Sequence, residues 1–383
     1  MIISSILLLF LWLLPKHYQR IYIQRQQSQL LKFIAAIFVV LGHQTAFYCN
    51  TSIFIKNETG LGDSCVAFFL FMSGYGLLFG FLNKGSKPIT FNWLIKHLFK
   101  LIIPALTATI LYTITKTCLG KDVDWLCLFT WWFVSNTNLL YGWYVTEIVI
   151  LYLYFFICFH YIRPQLAFKI LCTTIILAMG AMMIVQAPVW YIKGLPCFIL
   201  GLVLAKLDTQ KIKIKAKPIY IQFTMILCVI IFYILKDFHR IQEFIPSLNK
   251  WRYTYLSFFL INIIFIFIIV NILMRLPLCH KMQNKCDFFY EIYLVQGTSL
   301  LVCRELIKND IIFIITGIFA TIILAKWVNI LNRFIIQALA KSNYNKLKIS
   351  SLWGGGQNSS VNNYVQLSPH SIVLTIPKRI LQV

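Results

Sequence analysis

Eleven apolar runs succeed one another along the chain, at about 2–14, 33–49, 64–82, 101–117, 139–161, 168–187, 190–206, 219–235, 254–274, 288–303 and 311–331. A bilayer core about 30 Å thick is crossed by roughly 20 helical residues, so runs of this length read as spanning or near-spanning segments. Within lipid every backbone N–H and C=O must be satisfied inside the spanning structure, and segments this long do so as helices. The expected fold class is therefore all-α: a polytopic membrane helix bundle of about ten helices plus one short N-terminal helix.

That first segment, MIISSILLLFLWLL, has no basic residue ahead of its apolar stretch and no small-residue cleavage site before Pro15. It is expected to stay as a short helix rather than leave as a signal peptide. The aromatic stretch Trp125 to Val134 (WLCLFTWWFV) is too short to cross and is expected to lie at the outer interface or re-enter, since Trp favours that depth. Beyond about Ser342 the composition turns to Gly, Ser and Asn (SSLWGGGQNSSVNNYVQ), which buries too little apolar surface to order itself. The organisation expected is an extra N-terminal hydrophobic helix and basic loop over 1–29, a membrane domain over 30–331, and a disordered cytoplasmic tail over 332–383.

A formal charge of +23 would suggest nucleic acid as the partner of a soluble protein. Here 59% of residues are hydrophobic and the mean hydropathy is +0.76, so the partner is the lipid bilayer, and nucleic-acid binding is excluded. The basic residues collect in short connections, where they set topology. With the Lys32 end of its helix inside, the inner connections hold 18 Lys and Arg against 10 outside, which places the N-terminus outside and the C-terminus in the cytoplasm. Eleven Cys are scattered through the apolar runs without a CxxC pair or a zinc-like His/Cys spacing, so no metal is expected.

Lys32 and His43 are the only ionisable side chains in LKFIAAIFVVLGHQTAF. An ionisable group at membrane depth is costly and marks a functional site by default. Their separation of eleven residues turns a helix through roughly 1,100°, three turns plus about 20°, so the two share one face about 16 Å apart along the axis. A Lys at the membrane border then leaves the imidazole near the middle of the lipid. The bland alternative makes Lys32 an interfacial anchor and His43 an imidazole satisfied by a neighbouring helix.

Other segments add polar groups. In VAFFLFMSGYGLLFG, Ser73, Gly74 and Gly76 form either a packing notch or a niche where Ser73 and Tyr75 offer hydroxyls to a ligand. In KHLFKLIIP, Lys96, His97 and Lys100 precede Pro104 and serve either as anchors or as a grip on phosphate. Glu147 sits one turn below Trp143 in LLYGWYVTEIVILYLYF, where it is half of a structural ion pair or a partner for His43. Two weaker segments, KGLPCFILG with Lys193 and FFYEIYLVQG with Tyr290, Glu291, Tyr293 and Gln296, could line an interior.

In this order the segments resemble the acyltransferase-3 family of integral membrane acyltransferases, over about residues 30 to 331. The resemblance is carried by a basic residue, ten-residue gap and His at Lys32 to His43, and by a V-x-x-F-F-x-x-S-G-Y pattern at Val66 to Tyr75. The basic-then-Pro segment Lys96 to Pro104, the aromatic pair Trp143 and Tyr144, F-x-x-G at Phe198 and Gly201, and Y-x-I-Y-L within YEIYLVQ complete it. Lys32 stands where the family often has Arg, Leu70 replaces the second Phe, and Gln296 stands where many relatives carry His, so no proton-transfer role is assigned to that position.

The resemblance implies a bundle of ten spanning helices in the inner membrane that moves an acyl group, commonly acetyl, from cytoplasmic acyl-CoA to a hydroxyl of an envelope glycan or lipid-linked saccharide. It makes acyl-CoA, acetyl-CoA first, a co-substrate rather than a tightly bound cofactor. His43, with Glu147, becomes the catalytic candidate, as base or transient acyl carrier. Lys32, Ser73, Tyr75, Lys96, Lys100, Trp143, Tyr144 and Tyr293 become candidates for binding substrate or acyl-CoA. A transporter or flippase of a saccharide or organic anion is the rival from another class, although neither an inverted repeat nor paired broken helices is evident.

Overall fold

The structure, a computed structural model, describes residues 25–47, 61–86, 88–125, 139–210, 250–275 and 287–353, with Ile23 and a few single positions between 224 and 231. The described residues hold nine α-helices and no strand: α1 (Arg25–Gln44), α2 (Gly62–Asn83), α3 (Phe91–Cys118), α4 (Trp143–Tyr161), α5 (Pro164–Ile184), α6 (Leu195–Thr209), α7 (Lys250–Arg275), α8 (Phe289–Leu306) and α9 (Asp310–Trp353). Short 3-10 turns at Thr45–Phe47 and Val189–Tyr191 continue α1 and lead into α6.

Seven of these helices are long and apolar enough to cross a membrane. The polytopic all-α bundle is therefore the observed class. Helix α8 misses that measure because Glu291, Arg304 and Glu305 fall among its eighteen residues. In α7 the strongly apolar part is the shorter Phe258–Ile272. The runs at 2–14 and 219–235, the aromatic stretch after Trp125 and the tail from Gly354 lie outside the described residues, entirely or nearly so.

Local chemistry explains the helix ends. The Thr90 hydroxyl accepts from the Trp93 N–H at 3.3 Å and opens α3, while Asn309 accepts from the N–H groups of Ile311 and Ile312 at 3.0 and 3.2 Å and opens α9. Pro164 begins α5, where its missing N–H costs nothing. Helix α9 runs past Ser342 to Trp353, further than composition suggested. The stretch between them contains neither Gly nor Pro and keeps Lys, Leu and Ile, so nothing stops the helix before Gly354. The chain divides into two units, Met1–Ile336 and Gln337–Val383.

Within the first unit the core forms around α2, which is apolar on every side and buries Phe68, Leu70, Phe71 and Leu78 almost completely. Its neighbours are α1, α6 and α7; α1 also meets α8, α8 meets α3, and α4 lies against α3 and α5. The closest approach is between α2 and α6. A Cβ added at Gly74 would run into the Phe198 carbonyl oxygen, and one at Gly201 into that of Phe71. These glycines let two backbones touch, as small residues do in membrane bundles. Gly74 is therefore part of a packing notch, whereas Gly76 faces open space. Ile110, Leu177, Phe319 and Trp327 are exposed on the outside of the bundle, as lipid-facing side chains are.

Candidate functional site

Helices α1 and α8 run beside each other and carry the centre of the site. Lys32 Nζ lies 5.2 Å from the centroid of the Phe289 ring in the first turn of α8. His43 Nδ1 lies 3.0 Å from Gln296 Oε1, two turns further along the same helix. Both α1 side chains face α8.

The Gln296 amide has a defined orientation. Its Nε2 donates to the Tyr293 carbonyl oxygen at 2.9 Å, and a carbonyl only accepts. Oε1 is thereby turned to His43, so Nδ1 carries the ring proton and donates it. The lone pair is left on Nε2. An imidazole held in this tautomer is poised to take a proton from a hydroxyl.

Tyr141, in the turn that precedes α4, lies flat on this imidazole, with ring centroids 3.5 Å apart and planes 4° from parallel. Its hydroxyl reaches back to the His43 carbonyl at 3.4 Å. Its φ is +66°, in the left-handed region, where a bulky residue is held at a cost of about 1–3 kcal/mol. The turn is closed by the Gly142 N–H on the Leu139 carbonyl at 3.0 Å, which makes Tyr141 the third residue of four. Positive φ at that position ordinarily calls for Gly.

Tyr293 holds both neighbours of His43. Its backbone carbonyl accepts from Gln296, and its hydroxyl donates to the Tyr141 carbonyl. Tyr144 meets Tyr293 edge-on at 5.2 Å, with Ser73 close to its hydroxyl. Ring contacts continue from Tyr144 to Phe69 at 6.2 Å and from Phe69 to Phe289 at 6.0 Å, which returns to Lys32. A line of aromatic side chains thus leads from the Lys32 end of α1 to Tyr293, whose hydroxyl bond to the Tyr141 backbone completes the link to His43.

Glu147 is buried in α4, and neither of its oxygens has a hydrogen-bond partner. The Nδ1 position of His43 is taken by Gln296, so Glu147 does not hold that nitrogen. Lys193 is within electrostatic reach of both Glu147 and His43. The Lys193 ammonium is buried and pairs with Asp63 at 2.5 Å. Asn262 fixes its backbone by donating to the Lys193 carbonyl at 2.9 Å, and itself accepts from Ser64 at 2.9 Å.

The remaining candidates lie apart from the imidazole. Tyr75 donates to Asp208 at 2.9 Å and ties α2 to α6. Trp143 is buried against Tyr144 and Tyr191, at 6.3 and 6.1 Å. Lys96 and Lys100 are exposed in the first turns of α3. Between them His97 donates from Nδ1 to the Trp93 carbonyl at 2.7 Å and stacks on the Trp93 ring at 4.0 Å. The Tyr290 hydroxyl donates to the Leu101 carbonyl at 3.1 Å, so the start of α3 and the start of α8 belong to the same end of the bundle as Lys32. Among the described residues no group of three or more His, Cys, Asp or Glu could hold a metal.

A family model described as an acyltransferase domain, that of the acyltransferase-3 family, matches residues 26–329. The chain belongs to the acyltransferase-3 family. It is a membrane acyltransferase, and the match takes in α1 through most of the spanning part of α9. No curated protein and no solved structure matches this acyltransferase.

The sequence named Gln296 only as a residue that could line an interior, with no proton-transfer role, and the structure makes it the direct partner of His43. One site residue was missed altogether. Tyr141 lies in a quoted segment but in no motif. Its one sequence signal is a Tyr immediately before a Gly in a short turn, which does not reveal a left-handed backbone.

Proposed function

We propose that this acyltransferase moves an acyl group, acetyl first, from acyl-CoA to a hydroxyl of a cell-envelope glycan or lipid-linked saccharide, with His43 Nε2 as the base. The observation that carries this reading is the chain from His43 Nδ1 to Gln296 to the Tyr293 carbonyl, which leaves the Nε2 lone pair available.

In the proposed step Nε2 takes the proton of the acceptor hydroxyl as its oxygen attacks the thioester carbonyl carbon. The tetrahedral oxyanion collapses, the C–S bond breaks, and the departing sulfur takes the proton back from the imidazolium. An ester and free CoA thiol leave. General-base help from a placed His is worth about 10²–10⁴ in rate.

The charge distribution supports a donor that enters at the Lys32 end, which we take as the cytoplasmic side from the excess of basic residues in the connections there. Lys32, Lys96 and Lys100 supply positive charge there for the CoA phosphates. The aromatic line from Phe289 through Phe69 to Tyr144 offers an apolar edge for the pantetheine arm, with Ser73 as a hydroxyl beside it. Glu147 has two oxygens without donors, which suits it to receive the hydroxyls of an acceptor arriving from the far side. Trp143 backs that position, and Tyr75 supports the α2–α6 joint.

Mass spectrometry of envelope glycans from cells with and without the protein tests this reading. Acetylated species present only with the protein are expected. Identical glycan masses in the two cultures would contradict it.

A further inference from the structure

Gln296 restrains His43 within the plane of the ring, because a hydrogen bond to Nδ1 pulls along that plane. It does not stop the ring from tilting about the bond. Tyr141 supplies the missing restraint from the perpendicular direction, with centroids 3.5 Å apart and planes 4° from parallel. The Tyr141 backbone is in turn pinned by the Tyr293 hydroxyl, and Tyr293 also fixes Gln296. One residue of α8 therefore anchors both restraints. A left-handed Tyr at +66°, in the turn position that suits Gly, puts a ring on the imidazole where the local sequence rule would have put none.

We propose that Tyr141 is a positioning residue for His43: its ring fixes the imidazole plane so that Nε2 points at the acceptor hydroxyl, and its π face stabilises the imidazolium formed during transfer. The second effect is a cation–π contact made only after the proton is taken, so it acts on the reacting state and not on donor binding. The inference rests on the reading of His43 as base.

The test uses native membranes, radiolabelled acetyl-CoA and label counted in envelope glycan and lipid-linked saccharide at matched protein levels. Tyr141→Gly suits the left-handed backbone and removes the ring; Tyr141→Asn tolerates the same backbone and serves if the Gly protein is unstable. Both are expected to lower the maximal rate by about 10- to 100-fold, the penalty of a misplaced catalytic group, with KM for acetyl-CoA within about twofold of wild type. Tyr141→Phe keeps the ring and is expected to retain most of the rate. A ring-less protein at the wild-type maximal rate, a loss expressed in KM alone, or a Phe variant as poor as the Gly variant would overturn the proposal. Wild-type protein that transfers no label, or His43→Ala that transfers as much as wild type, would instead remove the base reading beneath it.

Discussion

Gln296 Oε1 accepts the Nδ1 proton of His43 across 3.0 Å, although the two residues are 253 positions apart in the chain. The amide cannot turn round, because its Nε2 is committed to the Tyr293 carbonyl at 2.9 Å. A neutral amide thus does the orienting work that a carboxylate does in other His-dependent sites, without adding a charge at membrane depth.

Replacing Gln296 with Leu keeps the volume and removes the acceptor. The imidazole then loses its fixed tautomer, and the transfer rate is expected to fall at least about tenfold, within the 10²–10⁴ that a placed base contributes. KM for acetyl-CoA should stay near wild type. Label transfer in membranes, measured over a range of acetyl-CoA, checks both expectations.

The α2–α6 joint predicts a stability effect unrelated to chemistry. Gly201→Ala drives a methyl group into the Phe71 carbonyl, and Gly74→Ala does the same at Phe198. Each should cost about 1–3 kcal/mol through overpacking and lower the melting temperature in detergent. Gly76→Ala meets open space and should melt like the wild type.

The Asp63 to Lys193 pair is unequal, since the Lys side chain is 9% exposed and the Asp side chain 50%. Asp63→Ala leaves a buried ammonium without its partner, at an expected cost of about 1–3 kcal/mol, less than a fully buried pair would forfeit. Lys193→Met leaves the Asp63 carboxylate open to water and a buried Glu147 that can be neutralised by a proton, so it should cost less. Thermal melting of the two variants in parallel tests the order.

Periodicity made part of this site legible. Eleven residues bring a helix back to nearly the same angle, and Lys32 and His43 do both face α8. The apolar runs likewise announced the bundle, because lipid permits little else. What faces what across helices was not legible: Glu147 was read as needing a partner, but the sequence could not show that Gln296 had already taken the His43 nitrogen. Tyr141 was hidden for another reason, since its left-handed backbone breaks the turn preference that sequence reading depends on. Gly74 and Gly201 could be read as small residues, and only their positions against Phe198 and Phe71 turned them into one joint.

The most direct test of the central claim is transfer of radiolabelled acetyl from acetyl-CoA to envelope glycan by membranes containing His43→Ala protein at wild-type abundance. A loss of about 10²-fold or more, with the variant still melting cooperatively in detergent, is the result predicted for an Nε2 base. Transfer at the wild-type rate would contradict it.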